Sequence, residues 1–178
     1  MSEFIKKYEE DRGLSEKIAS YIPGYRGYKQ KEVRREADKL LRDFMVRKLE
    51  AARSGLKNVV REIADANAVE LFKTLNRINA IMDRVINKVE HADYGYSGFF
   101  NLIKIHEDEL DRILDYDYKL VGACDEISRL AVETSSAANA GSLDVIPNLL
   151  KRLESKLVEF ESAFSSREEA IVSIKGGV

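Results

Sequence analysis

One cysteine, two histidines, two prolines and ten glycines in 178 residues leave little material for several familiar designs. A lone thiol, Cys124, excludes an intramolecular disulfide framework and any paired-cysteine redox or zinc site. So few prolines and glycines argue against a loop-rich β-sandwich and against a low-complexity linker protein. No apolar run approaches the roughly 18 residues that mark a membrane span. The opening stretch MSEFIKKYEEDRG is too charged for a secretory signal, so the expectation is a cytoplasmic protein. The length suits one domain over residues 1–178, large enough to bury a core of its own.

What the chain does have is helical periodicity almost throughout. Leu71, Leu75, Ile78, Met82, Val85 and Val89 fall at alternating steps of four and three, and so do Ile146, Leu150, Leu153, Leu157, Phe160 and Phe164. Such steps hold a narrow apolar stripe on one side of a helix, as bundle packing and coiled coils require. Rougher stripes run from Val33 to Ile63 and from Leu110 to Ala131, and no segment alternates with period two. The fold class predicted is all-α: an up-down bundle of four long helices with an additional short, peripheral N-terminal helix within residues 1–20.

Punctuation sets the boundaries. The first helix is expected over residues 2–19, weakened at Gly13, and Ile22-Pro23-Gly24 opens a loop that runs to Tyr28. A helical pattern then covers about 30–91, which as one rod would span roughly 90 Å. A break is therefore expected, at Ser54-Gly55 or, preferably, near Asp65-Ala66-Asn67, where the stripe loses definition. Residues 94–100 read as a second loop, 106–135 as a helix with acidic residues in its first turn, and 135–142 as a small-residue linker. The last helix starts near Leu143 with Pro147 in its first turns, and residues 175–178 fray.

The two loops echo each other as Gly24-Tyr25-Arg26-Gly27-Tyr28 and Gly95-Tyr96-Ser97-Gly98-Phe99. If the chain reverses near Asn67, both loops share one pole of the bundle. Aromatic residues there can plug the end of the core, or they can form a recognition surface on a rigid scaffold. The second reading makes Tyr25, Arg26, Tyr28, Tyr96, Phe99 and Phe100 the contact residues for a protein partner. Strict stripes also suit self-association of the helices.

The stretches IPGYRGYKQKEVRREADKLLRD, ADYGYSGFF and EDELDRILDYD together resemble an uncharacterised family of prokaryotic all-helical proteins, over residues 21–135. The resemblance implies that the two loops belong together. It implies no activity, substrate or catalytic residue.

Charge is distributed unevenly. Residues 21–61 carry 12 Lys+Arg against 5 Asp+Glu, whereas residues 62–178 carry 13 against 21. A basic face of Lys31, Arg34, Arg35, Lys39 and Arg42 offers a second function, peripheral binding to anionic membrane or nucleic acid. Glu32, Glu36, Asp38 and Asp43 interleave with it at helical spacing, however, which reads as a salt-bridged solvent face or as pairing of the basic stretch with the acidic helices. A sequence pI near 5.8 also argues against a nucleic-acid binder.

Chemistry has few candidates. A di-metal carboxylate bundle needs Glu-x-x-His pairs, but Lys88 stands three before His91 and Ile103 three before His106, so no metal or other cofactor is expected. The acidic run from Glu107 to Asp117 lacks the glycine and spacing of a calcium loop. Cys124 lies on a core stripe and reads as a small buried hydrophobe. Asp117 is different, since it sits on the same stripe between Ile113 and Leu120. A carboxylate facing a core needs a partner, from Tyr25, Arg26 or Tyr28 or from an Arg or Tyr on a neighbouring helix. A ligand- or metal-binding pocket around Asp117 is the third functional reading. No residue pattern points to an enzyme.

Overall fold

The computed structural model describes residues 13–174, and the described chain contains helices and turns but no strand. Residues 13–21 are helical (α1), beginning at Gly13; the rest of the expected first helix, on which the expected weakening at Gly13 depends, and the tail at 175–178 lie outside the described residues. There follow α2 (Lys31–Asp65), α3 (Val69–Glu90), a 3-10 turn (Ala92–Gly95), α4 (Ser97–Asn101), α5 (Glu107–Asn139) and α6 (Ile146–Ser173). None of the helices among the described residues is long and apolar enough to cross a membrane.

The break in the long helical pattern falls at Asn67, and Gly55 stays inside α2. Asn67 adopts φ +56°, the left-handed conformation that Asn tolerates better than most residues. Ala68 N donates to Ile63 O at 3.1 Å and Asn67 N to Ala64 O at 3.0 Å, the paired bonds that close a helix C-terminus in the Schellman manner. Asn67 thus ends α2 and does not cap α3 through its side chain. Gly141, with φ +70°, ends α5 by the same two bonds, Ser142 N to Ala137 O and Gly141 N to Ala138 O.

Three expectations need correction. Residues 94–100 are not an open loop but a 3-10 turn followed by the single turn of α4. The small-residue segment from Ser135 continues α5 to Asn139, because Ala and Ser there carry no side chain that opposes helix. Finally, α6 begins at Ile146, which leaves Pro147 in the first turn, where its missing N–H breaks no bond.

The chain forms two compact units. Among the described residues, one consists of 13–44, Glu90–Val121 and 163–174; the other consists of Met45–Val89 and Gly122–Ser162. The second unit holds two helical hairpins built on one plan. Leu49, Ala52, Leu56, Val59 and Ile63 of α2 are buried, and so are Cys124, Ile127, Ala131, Thr134 and Ala138 of α5, each 75 positions on. The same offset relates Leu75, Ile78, Met82 and Val85 of α3 to Leu150, Leu153, Leu157 and Phe160 of α6. Ion pairs join the hairpins at the rim: Arg84 grips Glu161 through two bonds of 2.8 Å, Arg77 forks onto Glu154 one heptad earlier, and Lys48 meets Asp125 at 2.9 Å. The equal step of seven on both helices means that α3 and α6 run side by side in the same direction here. Within the hairpins, Arg53 pairs with Asp83 and Lys156 with Glu126.

Candidate functional site

In the first unit the core stripes stop being apolar. On α6 the steps that give Phe160 and Phe164 continue to Arg167, which is fully buried. On α5 the stripe delivers Asp117, also fully buried, and on α2 it delivers Asp38 and Arg42 before Met45 and Leu49. Helical spacing alone therefore carries two carboxylates and two guanidinium groups inward, with Arg34 one turn before Asp38.

These groups satisfy one another in a chain. Arg167 Nε donates to Asp117 Oδ1 at 2.6 Å, and its Nη2 donates to Asp38 Oδ1 at 3.0 Å. Arg42 Nε donates to the other Asp38 oxygen at 2.9 Å, and Arg42 Nη1 to the carbonyl of Glu90 at 3.0 Å. The first loop closes the other end. Tyr25 Oη donates to Asp117 Oδ2 at 2.9 Å, Tyr28 Oη donates to the same oxygen, and Tyr28 Oη accepts from Arg167 Nη2 at 3.0 Å. Two phenols and one guanidinium thus aim donors at Asp117, an arrangement that fits an ionised carboxylate.

Electrostatics follows from burial. Burial pushes the Asp117 carboxyl above the usual carboxylate range, against Arg167 and the two phenols, which favour its charge. Burial, reinforced by Asp117, raises both Tyr25 and Tyr28, so these phenols remain protonated donors. For Arg167, burial opposes the charge, but Asp117, Tyr28 and Asp38 outweigh it and raise the guanidinium. Tyr96 is raised chiefly by burial. Its ring lies 5.8 Å from the Arg167 guanidinium carbon, and Tyr96 Oη and Arg167 Nη1 are each buried without a hydrogen-bond partner.

Arg34 ties both loops down. Its Nε donates to Tyr28 O at 2.7 Å and its Nη1 to Leu102 O at 2.6 Å, so one side chain on α2 holds the segment that follows α1 and the segment that follows α4. The rings meet as well. Tyr28 packs edge-on to Phe99 with centroids 5.6 Å apart, and Phe99 lies 5.6 Å from Phe100. The loops are therefore neighbours, but their glycines do different work. Gly24 and Gly27 adopt φ +87° and +70°, whereas Gly95 and Gly98 stay outside the left-handed region.

The structure corrects the two surfaces expected from sequence. Tyr25, Tyr28, Tyr96, Phe99 and Phe100 are buried, so they build the core and offer no contact surface to a partner; only Arg26 of that set is exposed, paired with Glu36 at 3.3 Å. Of the basic face, Lys31, Arg35 and Lys39 are exposed while Arg34 and Arg42 point inward, because they occupy stripe positions. Arg35 covers the Phe100 ring at 4.5 Å. Asp38, expected on the solvated side, is fully buried. Asp117 is buried and partnered, and its partners are Tyr25, Tyr28 and Arg167 together.

The cluster is filled by the protein's own groups, with both oxygens of Asp38 and both of Asp117 taken. Among the described residues no group of three or more His, Cys, Asp or Glu is placed to hold a metal ion. The Cys124 thiol is buried, and burial pushes its ionisation well up, away from nucleophilic use. Comparison with protein-family models, with curated proteins and with solved structures gives no match.

Proposed function

We propose that this chain is a non-enzymatic helical interaction protein, its four long helices arranged as an up-down bundle, that presents a rigid loop pole to a protein partner. One observation carries the reading. The segment that follows α3 is anchored by Arg34 and by buried Phe99 and Phe100, yet it holds out Tyr94, 84% exposed, and Ile103, 81% exposed. Among the described residues these are the two most exposed large apolar side chains. Tyr94 stacks on the His91 ring with centroids 6.3 Å apart, yet an anchored segment keeps both side chains largely in water, where they gain little for folding. Their use lies in a complex, and the exposed Arg26, Lys31, Arg35 and Lys39 add a cationic surround.

The buried cluster serves this role as an anchor. Ion networks inside a core cost desolvation, and their best-attested return is a fixed register. Here the register fixed is that of two loops on three helices. A cytoplasmic setting and self-association remain parts of the same proposal. A basic-face contact to membrane or nucleic acid draws less support, since only three of its five residues face outward.

The test uses the purified full chain and a Tyr94→Ser/Ile103→Ser variant, with thermal melts to confirm that both fold alike. The expected result is a protein recovered in near-stoichiometric amount on the wild type, or a dimer in sedimentation, lost in the variant. Identical recovery and identical mass for the two proteins overturn the proposal.

A further inference from the structure

In the second unit a cavity of about 290 Å³ opens between α5 and α6, lined by Glu126, Arg129, Leu130, Arg152, Ser155 and Lys156. We propose that this groove binds a phosphate dianion, as the free ion or as a monoester, and it does so independently of any partner at the loops.

Three cations and one carboxylate line the groove, and Lys156 is already held by two carboxylates, Glu126 and Glu159, each at 2.8 Å. Lys156 Nζ lies 2.8 Å from Glu126 Oε2, and Lys156, Arg129 and Arg152 together hold the Glu126 carboxyl below its usual range. Two of the three cations have donors to spare. Arg129 Nε stands 4.0 Å from Glu133 Oε1, beyond hydrogen-bond length, and Arg152 is exposed and makes no ion pair within reach among the described residues. Planar guanidinium forks match the oxygens of a phosphate in pairs, and the Ser155 hydroxyl adds a donor on the same wall.

The floor and the size narrow the class. Leu130 is the one apolar lining residue, and no aromatic ring is present on which a base would stack. At about 30 Å³ per water the cavity holds several waters, enough for a phosphate with part of its hydration. What is recognised is thus the phosphoryl group. Its several oxygens in a tetrahedral array let a phosphate accept from Arg129, Arg152 and Ser155 together, whereas a carboxylate offers two oxygens in one plane.

The experiment is a backbone amide NMR titration of the full chain with inorganic phosphate and, separately, with O-phosphoserine, against chloride at matched ionic strength. Saturable shifts confined to residues 126–133 and 152–156 are expected, strengthening for O-phosphoserine as pH rises through its second ionisation near 6. Arg152→Ala and Arg129→Ala each weaken binding roughly 10-fold, as loss of a charge-assisted contact predicts. Glu126→Gln tightens it, because the competing carboxylate is gone. Tighter binding of O-phosphoserine identifies the monoester as the better ligand, and tighter binding of phosphate identifies the free ion. Shifts reproduced by chloride, or unchanged in Arg152→Ala with its fold intact by thermal melt, overturn the proposal.

Discussion

Arg167 and Asp117, 50 positions apart in the chain, are both fully buried and meet through an Nε–Oδ1 contact of 2.6 Å. Neither has water to fall back on, so each depends on the other. Arg167→Met leaves Asp117 and one oxygen of Asp38 without their cation, and a cost of about 3–5 kcal/mol is expected. Asp117→Leu/Arg167→Met removes both charges and leaves Asp38 with Arg42. The double variant is therefore expected to be more stable than Arg167→Met alone, read by urea denaturation of all three proteins.

The two phenols on Asp117 are not equivalent. Tyr25 Oη makes one bond, whereas Tyr28 Oη donates to Asp117 and also accepts from Arg167. Tyr25→Phe deletes one donor and is expected to cost about 1 kcal/mol. Tyr28→Phe also leaves an Arg167 N–H without its acceptor, and about 2 kcal/mol or more is expected. Equal losses in denaturant midpoint for the two variants contradict this ordering.

Burial raises Asp117 above its ordinary value, so the folded protein holds this proton to higher pH than the unfolded chain does. The sign follows. The contribution of Asp117 to stability is fully present below the unfolded value of about 4 and declines as pH rises through the folded value. Asp117→Asn lacks this dependence. The stability of the wild type relative to Asp117→Asn should therefore fall as pH is raised from about 3.5, as measured by parallel denaturation series.

Much of the fold was open to reading because it rests on spacing. The stripe from Ile146 to Phe164 needed only its apolar residues to be seen, and the turn at Asn67 announced itself where the α2 stripe faded. The cluster was only half legible. Asp117 stood out because it interrupted an apolar stripe, but Arg167 lies three positions past Phe164, at the place the same stripe demands, and its charge hid it among the surface residues of α6. Asp38 and Arg42 were likewise masked by the charged positions around them, Lys39 and Asp43. The aromatic loops misled for a physical reason: Tyr is equally suited to a surface and to a core with a hydrogen-bond acceptor, and only tertiary contact with Asp117 decides. Continuing every stripe through its charged members would have found all four residues.

The two glycine–aromatic segments make opposite predictions on substitution. Gly27 sits at φ +70°, and a Cβ there would come within 3.0 Å of Ser15 Oγ. Gly27→Ala is expected to cost about 1–2 kcal/mol from the left-handed backbone alone. Gly98 lies inside α4 with open space where its Cβ would be. Gly98→Ala is expected to be neutral or stabilising by up to about 1 kcal/mol, since Ala favours helix over Gly. Matching shifts in melting temperature for the two variants would mean that the loops are built alike after all.

Arg34 offers the sharpest test of the anchored pole, because its two bonds go to backbone carbonyls and not to carboxylates. One of its nitrogens takes Tyr28 O and another takes Leu102 O, a geometry that needs a fork of fixed width. Arg34→Lys keeps the charge but offers a single ammonium, which cannot reach two carbonyls with the same planar spread. One loop then loses its tether while the ion pairs among Asp38, Arg42, Asp117 and Arg167 stay in place. The expected outcome is local: amide hydrogen exchange speeds up in residues 25–30 or 99–104, while the amides of α5 and α6 keep their protection. Faster exchange throughout the chain would instead mean that Arg34 supports the whole core. Unchanged exchange in both loops would mean that the aromatic packing of Tyr28, Phe99 and Phe100 holds them without it.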